Sequence, residues 1–120
     1  LVHVLGLGFD VDCHSLDKYL KGESVVGDDL NIINVIKAIH DSGGLAILAH
    51  PARYRIGYKE LIYSAAEYGI DGAEAWYDYQ HKTYWQPTPY ICSDIDSLLK
   101  SKNLYSTCGT DSHGYTLLGR

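Results

Sequence analysis

Asp111 and His113 stand two residues apart in the stretch GTDSHG. In an extended segment, residues at i and i+2 project to the same side. Gly109 and Gly114 leave the backbone free to turn tightly around them. A carboxylate and an imidazole at this spacing can bind one divalent metal or two adjacent ones. The ordinary alternative is a polar turn in which Asp111 bonds its own backbone. His50 ends the apolar run LAILAHP and is followed at once by Pro51. That order places an imidazole at the rim of a buried strand, as a ligand or as a hydrogen-bonded core histidine. His3 alternates with Val2 and Val4, so it faces the other side of its strand, either inward in a barrel or out to solvent.

Arg53 and Arg55 follow the His50 turn. Arginine suits bidentate recognition of phosphate or carboxylate, and otherwise makes a solvated charge or a surface ion pair. The surface reading is preferred for Arg55. Glu74 lies between Ala73 and Ala75 in an apolar segment, where a carboxylate is costly unless paired or metal-bound. Glu60 and Glu67 read as helix surface. His14, His40 and His81 lack supporting neighbours and read as structural or surface residues.

These residues need elements to hold them. Val2 to Phe9 reads as a strand, and a short helix is expected around Ser15 to Lys21. Asp28 or Asp29 is expected to cap a helix carrying Ile32, Ile33, Ile36 and Ile39, ended by Gly43 and Gly44. Leu45 to Ala49 is a buried strand, and Tyr58 to Tyr68 is a helix stopped by Gly69. Gly72 to Tyr77 is a strand. Thr88 and Pro89 are expected to open a helix with Ile91, Ile95, Leu98 and Leu99 on one face. Leu104 to Cys108 is the last strand. Strands alternating with helices predict an α/β fold with parallel strands and crossover helices, either half of a (β/α) barrel or a small open sheet. The polar clusters then follow strand ends on one side, where sites sit in such folds.

Composition narrows the classes. The 120 residues suffice for one domain, and 46% hydrophobic with 21% charged residues excludes a disordered tail. The formal charge of −5 argues against strong binding to duplex nucleic acid by electrostatics. No apolar run approaches the ~20 residues of a membrane helix, so no membrane partner is expected. The three cysteines form no CxxC pair, which points to a reducing, cytoplasmic setting; Cys108 is expected to be small and buried. The chain contains no Met and opens on a strand already under way, so it is expected to be part of a longer protein.

The segments VHVLGLG, GGLAILAHPARYR, YGIDGAEAWY and CGTDSHG, in this order, resemble the C-terminal part of the PHP (polymerase and histidinol phosphatase) family. The resemblance is greatest to stand-alone phosphoesterases that act on nucleotides. It implies that residues 1–120 are the C-terminal portion of a single PHP domain. The implied fold is part of a distorted (β/α)7 TIM-like barrel whose N-terminal strands, with the family's opening HxH motif, lie upstream. It further implies His3, His50, Asp111 and His113 as ligands of two or three divalent metals (Mn, Fe or Zn). Asp111 and His113 would be catalytic and Arg53 would bind the substrate phosphate. Glu74 matches a recurring acidic position. The implied activity is metal-dependent hydrolysis of phosphate esters, of nucleotides or short oligonucleotides, with a small phosphorylated substrate as partner. Trp76 or Tyr54 would stack on a nucleobase. The alternative is a non-catalytic PHP-like metal-binding or structural module of a larger protein.

Overall fold

A computed structural model describes residues 1–116; the expected domain range runs to Arg120, and residues 117–120 lie outside the described ones. Four strands form one sheet in the order β1 (Val4–Leu7), β2 (Leu45–Leu48), β3 (Gly72–Trp76) and β4 (Tyr105–Cys108). The helices are α1 (Asp17–Leu20), α2 (Ile32–Asp41), α3 (Tyr58–Glu67) and α4 (Ile91–Ser101). None is long and apolar enough to cross a membrane.

Strands β2, β3 and β4 are parallel, as the alternation of strand and helix requires. Strand β1 is not: it pairs antiparallel to β2, Val4 with Leu48 and Leu7 with Leu45. The expectation of an all-parallel sheet is therefore corrected to a mixed one. The cause lies in the excursion between the two strands. The chain leaves β1 at Leu7 and re-enters β2 beside it, held there by Asp10 N–H donating to the Ser42 carbonyl at 2.8 Å. An excursion that returns to the end it left makes a reversal, not a crossover.

Side chains of β2 and β3 divide between the two faces of the sheet. Ala46, Leu48, Ala73 and Ala75 pack with Ile36, Ile39, Leu61, Ile62, Ile95 and Leu99 of the helices into one buried core. Burying each of the larger side chains contributes about 1.5–3 kcal/mol. On the opposite face Leu5, Leu7, Leu45 and Tyr105 remain exposed. Gly72 sits where β3 and β4 approach: a Cβ there would stand 2.3 Å from the Tyr105 carbonyl oxygen.

Three local expectations differ. The cap of α2 is Asn31, whose side chain accepts from Ile33 N–H at 3.0 Å, while Asp28 and Asp29 lie one turn earlier in a 3-10 segment. Helix α4 starts at Ile91, after Tyr90 with φ 61°. Thr88 does not cap it with its hydroxyl, which instead accepts from Tyr79 N–H at 2.9 Å. Cys108 is exposed because it ends β4 at the sheet's rim, and Cys92 is the buried cysteine.

Candidate metal and phosphate site

The ends of β2, β3 and β4 and the start of β1 converge on one cavity of about 360 Å³. His3, His50, Glu74, Asp111 and His113 all line it. The reversal of β1 brings His3 there. A parallel β1 would put its first residues beside the start of β2, away from His50. In the antiparallel pairing Ala49 N–H donates to the His3 carbonyl at 3.0 Å. The His3 and His50 rings then lie 5.4 Å apart, edge to face. His3 N–H donates to the Tyr54 hydroxyl at 2.9 Å, which ties the strand to the turn after His50.

His50 adopts φ 29° and ψ 62°, a conformation that costs a non-glycine residue of order 1–3 kcal/mol. Its N–H donates to Glu74 Oε2 at 2.8 Å. Its Nδ1 is buried and has no hydrogen-bond partner among the described residues. Burial, and after it the positive charge of Arg53, pushes the imidazole below its ordinary pKa.

Glu74 is buried on the strand, and burial pushes its carboxyl above the ordinary value despite the opposing His50 N–H. The space for it is made by Gly109, where a Cβ would come within 1.8 Å of Glu74 Oε1. A side chain at 109 would have to displace this carboxylate.

Asp111 has φ 54°, the second lining residue in left-handed backbone. Its Oδ2 accepts from Arg53 Nη1 at 2.5 Å and from the Tyr77 hydroxyl at 3.3 Å. Burial works to raise the carboxyl, but the Arg53 hydrogen bond and charge outweigh it and hold the pKa below the usual value. Arg53 Nη1 also donates to the Tyr77 hydroxyl at 3.0 Å. Arg53 comes from the short 3-10 turn Pro51–Arg53 that follows His50. His113 is mostly exposed, and its Nδ1 lies 2.9 Å from the Asp111 carbonyl oxygen.

The structure thus gathers His3, His50, Glu74, Asp111 and His113, with Arg53 reaching Asp111 from one side. As they stand, no three His, Cys, Asp or Glu side chains among the described residues are placed to hold a metal ion. Two contacts stand against it: the Arg53–Asp111 pair and the turn of the His113 ring onto the Asp111 carbonyl oxygen. The donor set nevertheless fits a divalent ion. Three imidazoles and two carboxylates suit Mn, Fe or Zn. The buried, unpartnered Nδ1 of His50 is a polar atom that lacks the partner such atoms normally find.

One residue of the site escapes sequence reasoning: Tyr77, 3% exposed, braces both Arg53 and Asp111. Tyr54, expected near a nucleobase, has a structural tie as well, since its hydroxyl accepts from His3 N–H. With 11 tyrosines in the chain, nothing in composition distinguishes Tyr77. Position was the available signal, since Tyr77 follows β3 at the end where His50 and Asp111 lie. The remaining histidines are peripheral. His14 pairs with Asp17, and His40 Nε2 meets Asp71 Oδ2 at 2.7 Å. That same Asp71 oxygen accepts from Ala46 N–H, a structural tie at the far end of β2. His81 and Arg55 are exposed.

Known proteins resemble this chain over part of its length. No family model matches the chain. The chain is 33% identical over 85 residues to the 5'-3' exoribonuclease Rnm of Escherichia coli, a match covering 68% of this chain and 27% of that protein. It is 32% identical over 82 residues to Rnm of Salmonella typhimurium, with the same coverage, 68% and 27%. The aligned region therefore spans about a quarter of the length of these curated relatives. In three dimensions it resembles an amidohydrolase from Chromobacterium violaceum that holds sulfate and no metal. That likeness has a TM-score of 0.55 and 25% identity, over 68% of this chain and 28% of the other. It also resembles a protein from Bifidobacterium adolescentis assigned as a metal-dependent phosphoesterase. There the TM-score is 0.54 and the identity 22%, over 83% of this chain and 35% of the other.

Proposed function

We propose that this chain supplies part of the active site of a PHP-type, divalent-metal-dependent phosphoester hydrolase. One observation carries the reading: His3, His50, Glu74, Asp111 and His113, from four separate parts of the sequence, line a single cavity. The similarity to Rnm supports a nuclease-type substrate, a nucleotide or short oligonucleotide. The likeness to larger hydrolase structures supports reading the sheet as a section of a (β/α)7-type barrel wall, its exposed Leu5, Leu7, Leu45 face turned inward.

His3, His50, Asp111 and His113 would hold the metal, and Glu74 is a further donor whose second oxygen faces Gly109. A bound divalent ion would supply a Lewis acid for the phosphoryl oxygen and a water of lowered pKa. The chain's own part is electrostatic and positional. Burial favours the neutral imidazole of His50, the form that ligates a metal. Against burial, the Arg53 guanidinium favours the carboxylate form of Asp111. Arg53 offers the planar fork that matches phosphate.

The test is elemental mass spectrometry of the full chain beside the Asp111→Ala, His113→Ala double variant, followed by turnover of a phosphoester. Near-stoichiometric Mn, Fe or Zn in the parent, lost in the variant together with turnover, is expected. Turnover unchanged in the variant would sink the reading. The Arg53–Asp111 pairing favours a second reading, a metal-binding or structural module without catalysis. Metal retained with no turnover on any phosphoester, measured on the protein that also contains the rest of the barrel, would favour that one instead.

A further inference from the structure

Arg53 is aimed at Asp111 and not at the cavity. Its Nη1 donates to Asp111 Oδ2 and to the Tyr77 hydroxyl, which itself reaches Asp111 Oδ2. The guanidinium therefore occupies the oxygen that a ligating Asp111 would offer to a cation. Two positive groups cannot share that oxygen in a half-buried setting without strong repulsion. A cation arriving at Asp111 has to displace the guanidinium. The displaced group does not need a new anchor. Tyr77 is 3% exposed and fixed by its packing, and its hydroxyl lies 3.0 Å from Arg53 Nη1. The Arg53 side chain is 37% exposed, so it has an open side toward which to move.

We propose that Arg53 is a two-position residue: its pairing with Asp111 and a divalent cation on that carboxylate exclude each other, and a cation that takes Asp111 releases the guanidinium to the phosphate anion, with the buried Tyr77 hydroxyl as its pivot. This rests on the metal reading above. It goes further by making cation and phosphate binding cooperative through one side chain. Arg53 and a divalent cation compete for Asp111. Phosphate then gains from the cation twice, directly and through the freed guanidinium. Tyr77 is a positioning residue in this scheme, acting only through Arg53 and Asp111.

The test is calorimetric titration of the full chain with Mn²⁺, and of the Mn²⁺-loaded chain with inorganic phosphate, for the parent, Arg53→Ala, Arg53→Gln and Tyr77→Phe. Removing the competing guanidinium is expected to tighten Mn²⁺ binding about tenfold in Arg53→Ala, within the usual span of coupling between sites. The same variant should lose phosphate binding. Arg53→Gln, neutral but similar in length, should follow it and serves in its place if Arg53→Ala does not fold. Tyr77→Phe should tighten Mn²⁺ by less and weaken phosphate. Mn²⁺ affinity unchanged or weakened in both Arg53 variants would overturn the two-position role while leaving the metal site intact. Phosphate binding unchanged in them would overturn it equally. A parent that binds no Mn²⁺ would overturn the metal reading itself, and this inference with it.

Discussion

The candidate site is built from residues in unfavourable backbone. His50 at φ 29° and Asp111 at φ 54° are both held by neighbours that leave them little choice. His50 N–H is fixed by Glu74, and Glu74 has room only because residue 109 lacks a side chain. Gly109→Ala should therefore destabilise the fold by about 1–3 kcal/mol, the usual range for overpacking. Because the clash is with one carboxylate, the loss should shrink when Glu74→Ala is added; denaturant unfolding of the two single variants and the double variant measures this coupling. Additive losses would mean that the strain lies in the backbone. At this scale His50, Asp111 and His113 were legible, since polar residues directly after apolar strands stand out. The bracing role of Tyr77 was not. Tyrosine is common in this chain, and its role comes from a contact 34 residues away in sequence, between Tyr77 and Asp111.

Among the elements, α3 and α4 are joined by a small polar cluster. The Tyr58 hydroxyl donates to Asp94 Oδ2 at 2.5 Å, and Lys59 Nζ stands 3.1 Å from the same oxygen. The Tyr58 hydrogen bond, and then that of Lys59, hold the Asp94 carboxyl below its ordinary value of 3.8. A carboxyl depressed in the folded state stabilises it above the unfolded pKa. That contribution is lost as pH falls through the folded value. The stability difference between the parent and Asp94→Asn should thus be constant near neutrality and vanish at acid pH. Thermal melting between pH 7 and pH 2 checks it. A difference that persists at the acid end would assign the effect to packing. The elements themselves were largely readable, because apolar runs and helical spacing mark them. The direction of β1 was not, since an alternating pattern reads the same from either end. Nor was the cap at Asn31, because Asp28, Asp29 and Asn31 are chemically interchangeable there.

The whole molecule is a two-layer unit with helices over one face of the sheet and the site at one edge. Besides its pairing with β2, β1 is tied to this unit at the site by the bond from His3 N–H to the Tyr54 hydroxyl, across 51 residues. Tyr54→Phe should cost about 1 kcal/mol. It should also speed amide exchange of His3 while leaving Ile47 and Leu48, in the centre of the sheet, protected. Hydrogen-exchange NMR reads both, and equal acceleration throughout would show that the bond supports the fold globally. The domain class was legible from alternation and length. The mixed sheet was not, because the reversal depends on a contact between Asp10 and Ser42 that no local pattern announces.

The reversal of β1 also fixes an order of events in time. The cavity joins residues near the start of the chain to residues 111–113, and its bracing contacts span 24, 51 and 58 residues. Closing longer loops carries a larger entropic barrier, so the parallel pairings about α3 and α4, and the His50–Glu74 contact that spans 24 residues, can form before the His3–Tyr54 and Arg53–Asp111 contacts that span 51 and 58. On this ground the His3 and Arg53 sides of the rim are expected to close after the sheet. An ion that needs all of its donors acts on the native state alone, slowing escape from it without hastening its formation.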